Sequence, residues 1–424
     1  MNEILGLIQL ISIMVVLFYE YSKKYISVFM WAAILVLFGI PHFIAILLSK
    51  YNYNEESMIK ASVFAIFFNL IYIISRITIS KIIKVDDKSN KHSDKLSKID
   101  KKIIKILFLG LLFCMLVLLF YTNRYLGGIS NASWLGFYNL SNDLGNHNLM
   151  TYTQFLFFAS GGVVFIFKKY NKKILFYISA IIIILYSTIT GNRITILPLL
   201  ISIILPFIYN DKKISFRNIV ILSILALIAV YLVYGLRLLR LYGGIDELFS
   251  SLSLKSINDL IIDMILKGDG ELSLRNAFYY FIQSDNQFPN FNEGHTYLRL
   301  LFMIIPTSLL GGLKPPDFAI SMGSAWTYDF NNTKFSMHPT LYGDVFANFY
   351  WIGILWAIFW AVFNILIEKC TNRKNNVIKS ILQVLFGTMF IIIARGSVYN
   401  AVYIGMAGGV IILVTYYLAR IKLK

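Results

Sequence analysis

The chain is predicted to be an all-α polytopic membrane protein with about eleven transmembrane helices and one long outer loop, and three observations predict it. Of its 424 residues, 58% are hydrophobic and only 14% charged, which is more apolar matter than a soluble core needs. The apolar residues gather in runs of 16 to 28, close to the roughly 20 that carry a helix across a bilayer. Lysines collect in short stretches that face the same side at every second crossing, as membrane insertion requires.

The chain opens Met1-Asn2-Glu3 and meets its first lysines, Lys23 and Lys24, only after the run 4–20. That order is the reverse of a secretory signal's, so the run is an uncleaved first span with its N-terminus outside. Spans follow at 26–48, 58–79, 104–121, 149–167, 174–190, 194–209, 218–235, 340–367, 377–394 and 399–418. Between them, Lys23/Lys24, the nine lysines of 81–105, Lys168 to Lys173, Lys212/Lys213/Arg217, Lys369 to Lys379 and the tail Arg420, Lys422, Lys424 all fall on one side, giving an N-outside, C-cytoplasmic topology. Residues 1–424 form a single integral membrane domain. Within it, 80–105 is a basic cytoplasmic loop whose segment 86–102 reads as a solvated linker.

The outer loop 236–339 is too long for a connector and carries ten acidic against eight basic residues. Ile245, Leu248, Phe249, Leu252, Ile257, Leu260, Ile261, Met264 and Ile265 recur at spacings of mostly three and four, with Asp246, Glu247, Lys255, Asp259 and Asp263 opposite. This predicts an amphipathic helix. A second short helix is expected at 271–283. The apolar stretch Tyr297–Leu310, broken by Arg299 and Pro306, is too short to span and reads as re-entrant or interfacial.

A net charge of +17 would suit nucleic acid, but the surplus lies in short loops between spans and sets orientation. Nucleic acid is therefore excluded as a partner. Cys114 lies in an apolar run and Cys370 in a basic loop, so neither a disulfide framework nor a metal-type cysteine pair is expected. The scattered histidines and loop acids fit no metal-ligand spacing. No metal and no cofactor are predicted.

Arginine is sorted by side. The inner loops and tail hold 22 Lys and 3 Arg, the outer side 5 Lys and 7 Arg, in a chain with 28 Lys and 11 Arg. Arginine presents a planar, permanently charged fork that grips phosphate bidentately, which lysine does not. Arg193 follows Gly191-Asn192 in a turn between two spans; Arg237 and Arg240 stand three apart after the eighth span; Arg395 lies in the Gly-flanked turn before the last span. The bland alternative is a snorkelling side chain. Four arginines at three helix ends of one depth point instead to a diphosphate on the outer leaflet.

The densest cluster of polar groups is Ser336-Met337-His338-Pro339-Thr340-Leu341-Tyr342-Gly343-Asp344-Val345-Phe346-Ala347-Asn348-Phe349. A helix starting near Pro339 or Thr340 places Asp344 and Asn348 on one face. His338 is the first candidate for a general base and Asp344 the second. Capping of the helix is the competing explanation for Asp344 and Thr340. Tyr342 and Asn348, with Glu293, His295 and Arg299 of the outer loop, are candidate sugar or acceptor contacts.

The chain resembles the Wzy-type oligosaccharide repeat-unit polymerases of bacterial O-antigen and capsule synthesis. The resemblance rests on Gly191-Asn192-Arg193 between spans, on Gly294 through Pro315-Pro316 with its Ile305-Pro306 and Lys314-Pro315 steps, and on Gly343-Asp344 through Asn348-Phe349. The family often has glutamate where Asp344 stands and arginine where Thr307 stands. The resemblance implies a glycosyltransferase C-like fold similar to that of O-antigen ligases, in the bacterial cytoplasmic (inner) membrane. It implies metal-independent transfer of a growing undecaprenyl-diphosphate-linked glycan onto an incoming lipid-linked repeat unit. Membrane lipids, a chain-length regulator and a flippase are the partners it suggests. The rival functions are an O-antigen ligase, which differs in acceptor, and a lipid-linked oligosaccharide flippase or other transporter. A transporter should carry ionisable groups through the midplane.

Overall fold

The computed structural model describes residues 2–49, 53–83, 96–125, 128, 147–190, 192–209, 238, 250–267, 274–287, 294–303, 305, 309–310, 312–327, 329, 336–372 and 375–421. Among these the regular structure is entirely helical. Nine stretches are long and apolar enough to cross a membrane: Asn2–Ser22, Val28–Leu47, Glu55–Ile82, Lys98–Tyr125, Leu149–Lys169, Lys173–Thr190, Thr340–Thr371, Asn376–Ala394 and Val398–Arg420. The protein is thus an all-α, multi-pass membrane protein. The expected seventh span corresponds to the shorter apolar stretch Arg193–Tyr209, and the eighth, 218–235, lies outside the described residues.

The first membrane-crossing helix is α1 (Asn2–Ser22); the second is divided into α2 (Val28–Ile34), a π-helical stretch and α3 (Ile40–Leu47). Then come α4 (Glu55–Ile82), α5 (Lys98–Tyr125), α6 (His147–Gly161), α7 (Val163–Lys169), α8 (Lys173–Thr190) and α9 (Leu197–Tyr209). The segment after α9 contributes α10 (Leu254–Lys267), α11 (Leu274–Gln283), α12 (Thr296–Leu301) and α13 (Phe318–Thr327), before α14 (Thr340–Phe349), α15 (Trp356–Thr371), α16 (Asn376–Ala394) and α17 (Val398–Arg420). At the centre is α16, buried along almost its whole length and packed against α2, α6, α7, α9, α15 and α17. A helix apolar all round belongs inside a bundle, not at its lipid face.

Three expectations change. The 86–102 linker ends early: Lys98 to Lys102 already belong to α5, because Asp100 accepts from Ser97 N and Oγ at 2.9 and 2.7 Å and from Asn375 Nδ2 at 2.8 Å. The run 340–367 is not one helix. It breaks at Tyr350, whose φ is +54°, so α14 is a separate ten-residue helix followed by a 3-10 stretch and α15. The amphipathic helix starts later than its spacing suggested, for Leu252 and Ser253 are not helical and α10 begins at Leu254, with 245–249 outside the described residues; the second loop helix is α11.

At the end of the bundle that carries the basic loops, one buried ion cluster ties four elements together. Arg76 of α4 donates Nε to Glu20 Oε1 at 3.0 Å and Nη2 to Glu20 Oε2 at 3.2 Å. Tyr72 donates to Glu20, and Ser27 donates its hydroxyl to Glu20 Oε2 and its backbone N–H to Glu368 Oε1. All are buried. Such a pair offsets its desolvation only through the added hydrogen bonds, and removing one partner costs about 3–5 kcal/mol.

Candidate active site

The site forms where α14, α12 and the α16–α17 turn meet. Thr340 opens α14 with a φ of +66°, a conformation a β-branched residue enters only when its surroundings impose it. Here they do: Thr340 N donates to the carbonyl of Arg395 at 3.1 Å. Gly396, with φ +91°, lies so close that a Cβ there would fall 2.7 Å from Thr340 N and 2.8 Å from its carbonyl oxygen. The α16–α17 turn and the start of α14 are therefore in backbone contact.

That contact sets Arg395 beside His338. His338 is 8% exposed, and burial, with the Arg395 guanidinium adding to it, pushes its imidazole down to about 3. The ring is neutral at physiological pH. His338 Nδ1, Thr340 Oγ1 and Asp344 Oδ2 are each buried without a hydrogen-bond partner among the described residues. Each such atom costs about 1–3 kcal/mol unless water or a ligand meets it.

Asp344 is fully buried, and its other oxygen is anchored. Oδ1 accepts from Thr296 Oγ1 at 2.8 Å. One turn later Asn348 accepts from Thr296 N at 3.0 Å and donates Nδ2 to the Asp344 carbonyl at 2.7 Å. The predicted shared face of Asp344 and Asn348 is thus occupied by α12. Tyr297 also borders Asp344; burial and that neighbouring carboxylate hold its phenol well above the usual range, and its oxygen accepts from Trp360 Nε1 at 3.2 Å.

The remaining candidates divide. Tyr342, expected against the sugar, is buried and donates its hydroxyl to Asn69 Oδ1 at 2.7 Å. Asn348 is engaged with Thr296, as above. His295 caps α12, its Nδ1 accepting from Leu298 N at 3.1 Å, and partial burial lowers its pKa. Arg299 holds the loop together: it donates Nη1 to the Pro315 carbonyl at 2.6 Å, approaches Asp317 at 4.0 Å and lies 4.6 Å over the Tyr399 ring. Arg193 is exposed on the 3-10 turn Arg193–Ile196. Arg237, Arg240 and Glu293 lie outside the described residues. Of the candidates, then, His338, Arg395 and Asp344 belong to one segment and its docked turn.

Sequence reasoning missed Thr296 and Tyr297, although both follow His295 directly. It also left Arg275 without a role. Arg275 is 2% exposed and neighbours Tyr279 and His42. His42 in turn bonds Tyr279 OH at 2.6 Å and Ser62 Oγ at 2.8 Å. The signal available was the arginine's place on the apolar face of α11, where an unburied cation has no reason to be. Among the described residues no group of three or more His, Cys, Asp or Glu side chains could hold a metal ion.

Against known proteins, a family model described as O-antigen polysaccharide polymerase Wzy matches residues 3–424. No curated protein and no solved structure matches the chain.

Proposed function

Since the chain belongs to the O-antigen polysaccharide polymerase Wzy family, we propose that it transfers the growing undecaprenyl-diphosphate-linked glycan onto an incoming lipid-linked repeat unit at the outer leaflet. The supporting observation is the set of buried, unpartnered atoms His338 Nδ1, Thr340 Oγ1 and Asp344 Oδ2 beside Arg395. Polar atoms left unmet in the free protein suit the hydroxyls of an acceptor sugar.

In the proposed step a hydroxyl oxygen of the incoming unit attacks the anomeric carbon of the donor glycan. The new C–O bond forms as the bond from that carbon to the diphosphate oxygen breaks, and the hydroxyl proton passes to a side chain. Asp344 takes it in preference to His338, which reverses the order suggested by residue type alone. A histidine held near 3 is a feeble base, whereas the Asp344 carboxylate, with one oxygen fastened by Thr296 and the Tyr297 hydroxyl beside it, presents its second oxygen to an incoming hydroxyl. His338 orients the hydroxyl through its neutral ring. It gains basicity when the donor binds: one negative charge about 5 Å away at an effective dielectric of about 20 is worth about 3 kcal/mol, raising its pKa by about 2.

The charge developing on the departing lipid diphosphate is met by Arg395, with Arg193, Arg237 and Arg240 as further ligands, the usual work of fixed cations in such transfer. The step uses no metal. Asn348, His295 and Arg299 serve the acceptor side chiefly by holding α12 and its loop in place, and Glu293 is a further acceptor candidate by residue type alone. The enzyme sits in the bacterial cytoplasmic membrane with its N-terminus outside and its basic loops within.

Purified protein in detergent, supplied with the natural lipid-linked repeat unit, tests this. A ladder of polymer that vanishes with Asp344→Asn supports the reading. Product formed only on lipid A core would make the protein a ligase, and no product at all would leave it a carrier.

A further inference from the structure

Inside the bundle, on the far side of α14 from Asp344, lies a polar chain that the proposed chemistry does not use. Asn69 of α4 is 1% exposed. Its Oδ1 accepts from Tyr342 OH at 2.7 Å, its Nδ2 donates to Ser12 Oγ at 2.8 Å, and Ser12 Oγ donates to the Gln9 carbonyl at 2.6 Å. A carboxamide in an apolar span is costly unless satisfied. Here both ends of the Asn69 amide are met, so its orientation is set from two sides.

Tyr342 precedes Asp344 by two residues, or about 200° around a helix of 3.6 residues per turn. One therefore faces α4 while the other faces Thr296. The Tyr342 ring is held edge-on by Phe38 at 5.1 Å and Phe68 at 5.5 Å. On a third side α14 lies flush on α11: a Cβ at Gly343 would fall 3.0 Å from Phe278 Cβ and 3.2 Å from its Cα. Flush contact blocks approach but permits rolling and sliding. Residues with positive φ bound the helix at Thr340 and Tyr350, so its roll is not inherited from a longer helix.

We propose that Asn69 is a positioning residue for glycan transfer: by accepting a hydrogen bond from the Tyr342 hydroxyl inside the bundle, it sets the roll and depth of α14 and so aims the second oxygen of Asp344. The proposal rests on the polymerase reading above. It makes Tyr342 part of the support behind the site, with no contact to sugar.

The test uses full-length protein in detergent with the lipid-linked repeat unit, comparing Tyr342→Phe, Asn69→Leu, the double variant and Asn69→Asp. Misplacement by about 1 Å can cost about 100-fold, and loss of one bond from a packed helix should shift it less. Each single variant is therefore expected to lose about tenfold in kcat with KM unchanged. The double variant should be no worse than the poorer single, and Asn69→Asp, which retains an acceptor oxygen, should recover most of the loss. Hydrogen exchange over 340–349 should quicken in Tyr342→Phe and Asn69→Leu while α16 stays protected. Unchanged kcat in both single variants, or losses that multiply in the double, overturns the positioning role. If the wild-type protein makes no polymer, the polymerase reading fails by itself, and unaltered exchange over 340–349 then overturns the positioning role separately.

Discussion

Replacing Gly396 by alanine probes the contact on which the site is built. Its φ of +91° lies where an L residue pays about 1–2 kcal/mol. The added Cβ would also lie 2.7 Å from Thr340 N, 2.8 Å from Thr340 O and 2.9 Å from Pro339 Cδ. Backbone atoms cannot rotate aside, so reaching an ordinary 3.4 Å contact requires a retreat of about 0.7 Å. That retreat stretches the 3.1 Å bond from Thr340 N to Arg395 O beyond useful length, forfeiting about 0.5–1.5 kcal/mol more. The total is about 2–3 kcal/mol, with Arg395 drawn away from His338. Elongation should fall between about 10- and 100-fold. Gly312 supplies the control: its φ is +89°, yet a Cβ there meets nothing within 4 Å. Gly312→Ala should show only the conformational cost and keep its activity. Polymer ladders and thermal unfolding of the two variants decide it. Full elongation by Gly396→Ala at wild-type stability would refute the docking of the turn on α14.

Further outcomes follow from the same geometry. Asp344→Asn should lower kcat by about 100-fold or more, the scale of a lost proton acceptor, without lowering the unfolding temperature; retained turnover would remove Asp344 from the chemistry. Because His338 binds its proton near 3 instead of the usual 6.5, the unfolded chain takes up a proton between those values that the folded chain refuses. The stability this residue contributes is thus full above about pH 6.5 and drains as pH falls toward 3, by up to about 1.4 kcal/mol per pH unit. His338→Phe should flatten that slope in unfolding measured from pH 8 to 4, and parallel slopes would contradict the burial. Arg76→Met should destabilise by about 3–5 kcal/mol, and adding Glu20→Met should restore part of it; equal losses in the single and double variants would deny the pairing. Arg395→Lys should lower polymer yield at normal protein level, and wild-type yield would count against a diphosphate contact there.

Fold class was legible because insertion into a bilayer is decided segment by segment. Each span must satisfy its own backbone, so length, hydropathy and lysine placement along the chain suffice to find it. The start of α14 was legible for a similar local reason, since Pro339 stands at a helix entry. The break at Tyr350 was not, because nothing in an unbroken apolar run reports a positive φ imposed by packing.

Of the site, the sequence alone determined which residue types were available: a histidine, a carboxylate and arginines. Only the tertiary structure decided which of them meet. His338 and Arg395 are brought together by backbone contact at Gly396 and Thr340, Asp344 is anchored by Thr296 across a separate loop helix, and Arg299 is spent on Pro315 and Asp317. Tyr342 turns inward to Asn69 for the same reason. Chemical identity is local and can be read along the chain, whereas partnership depends on which buried polar atoms find each other once the helices have packed.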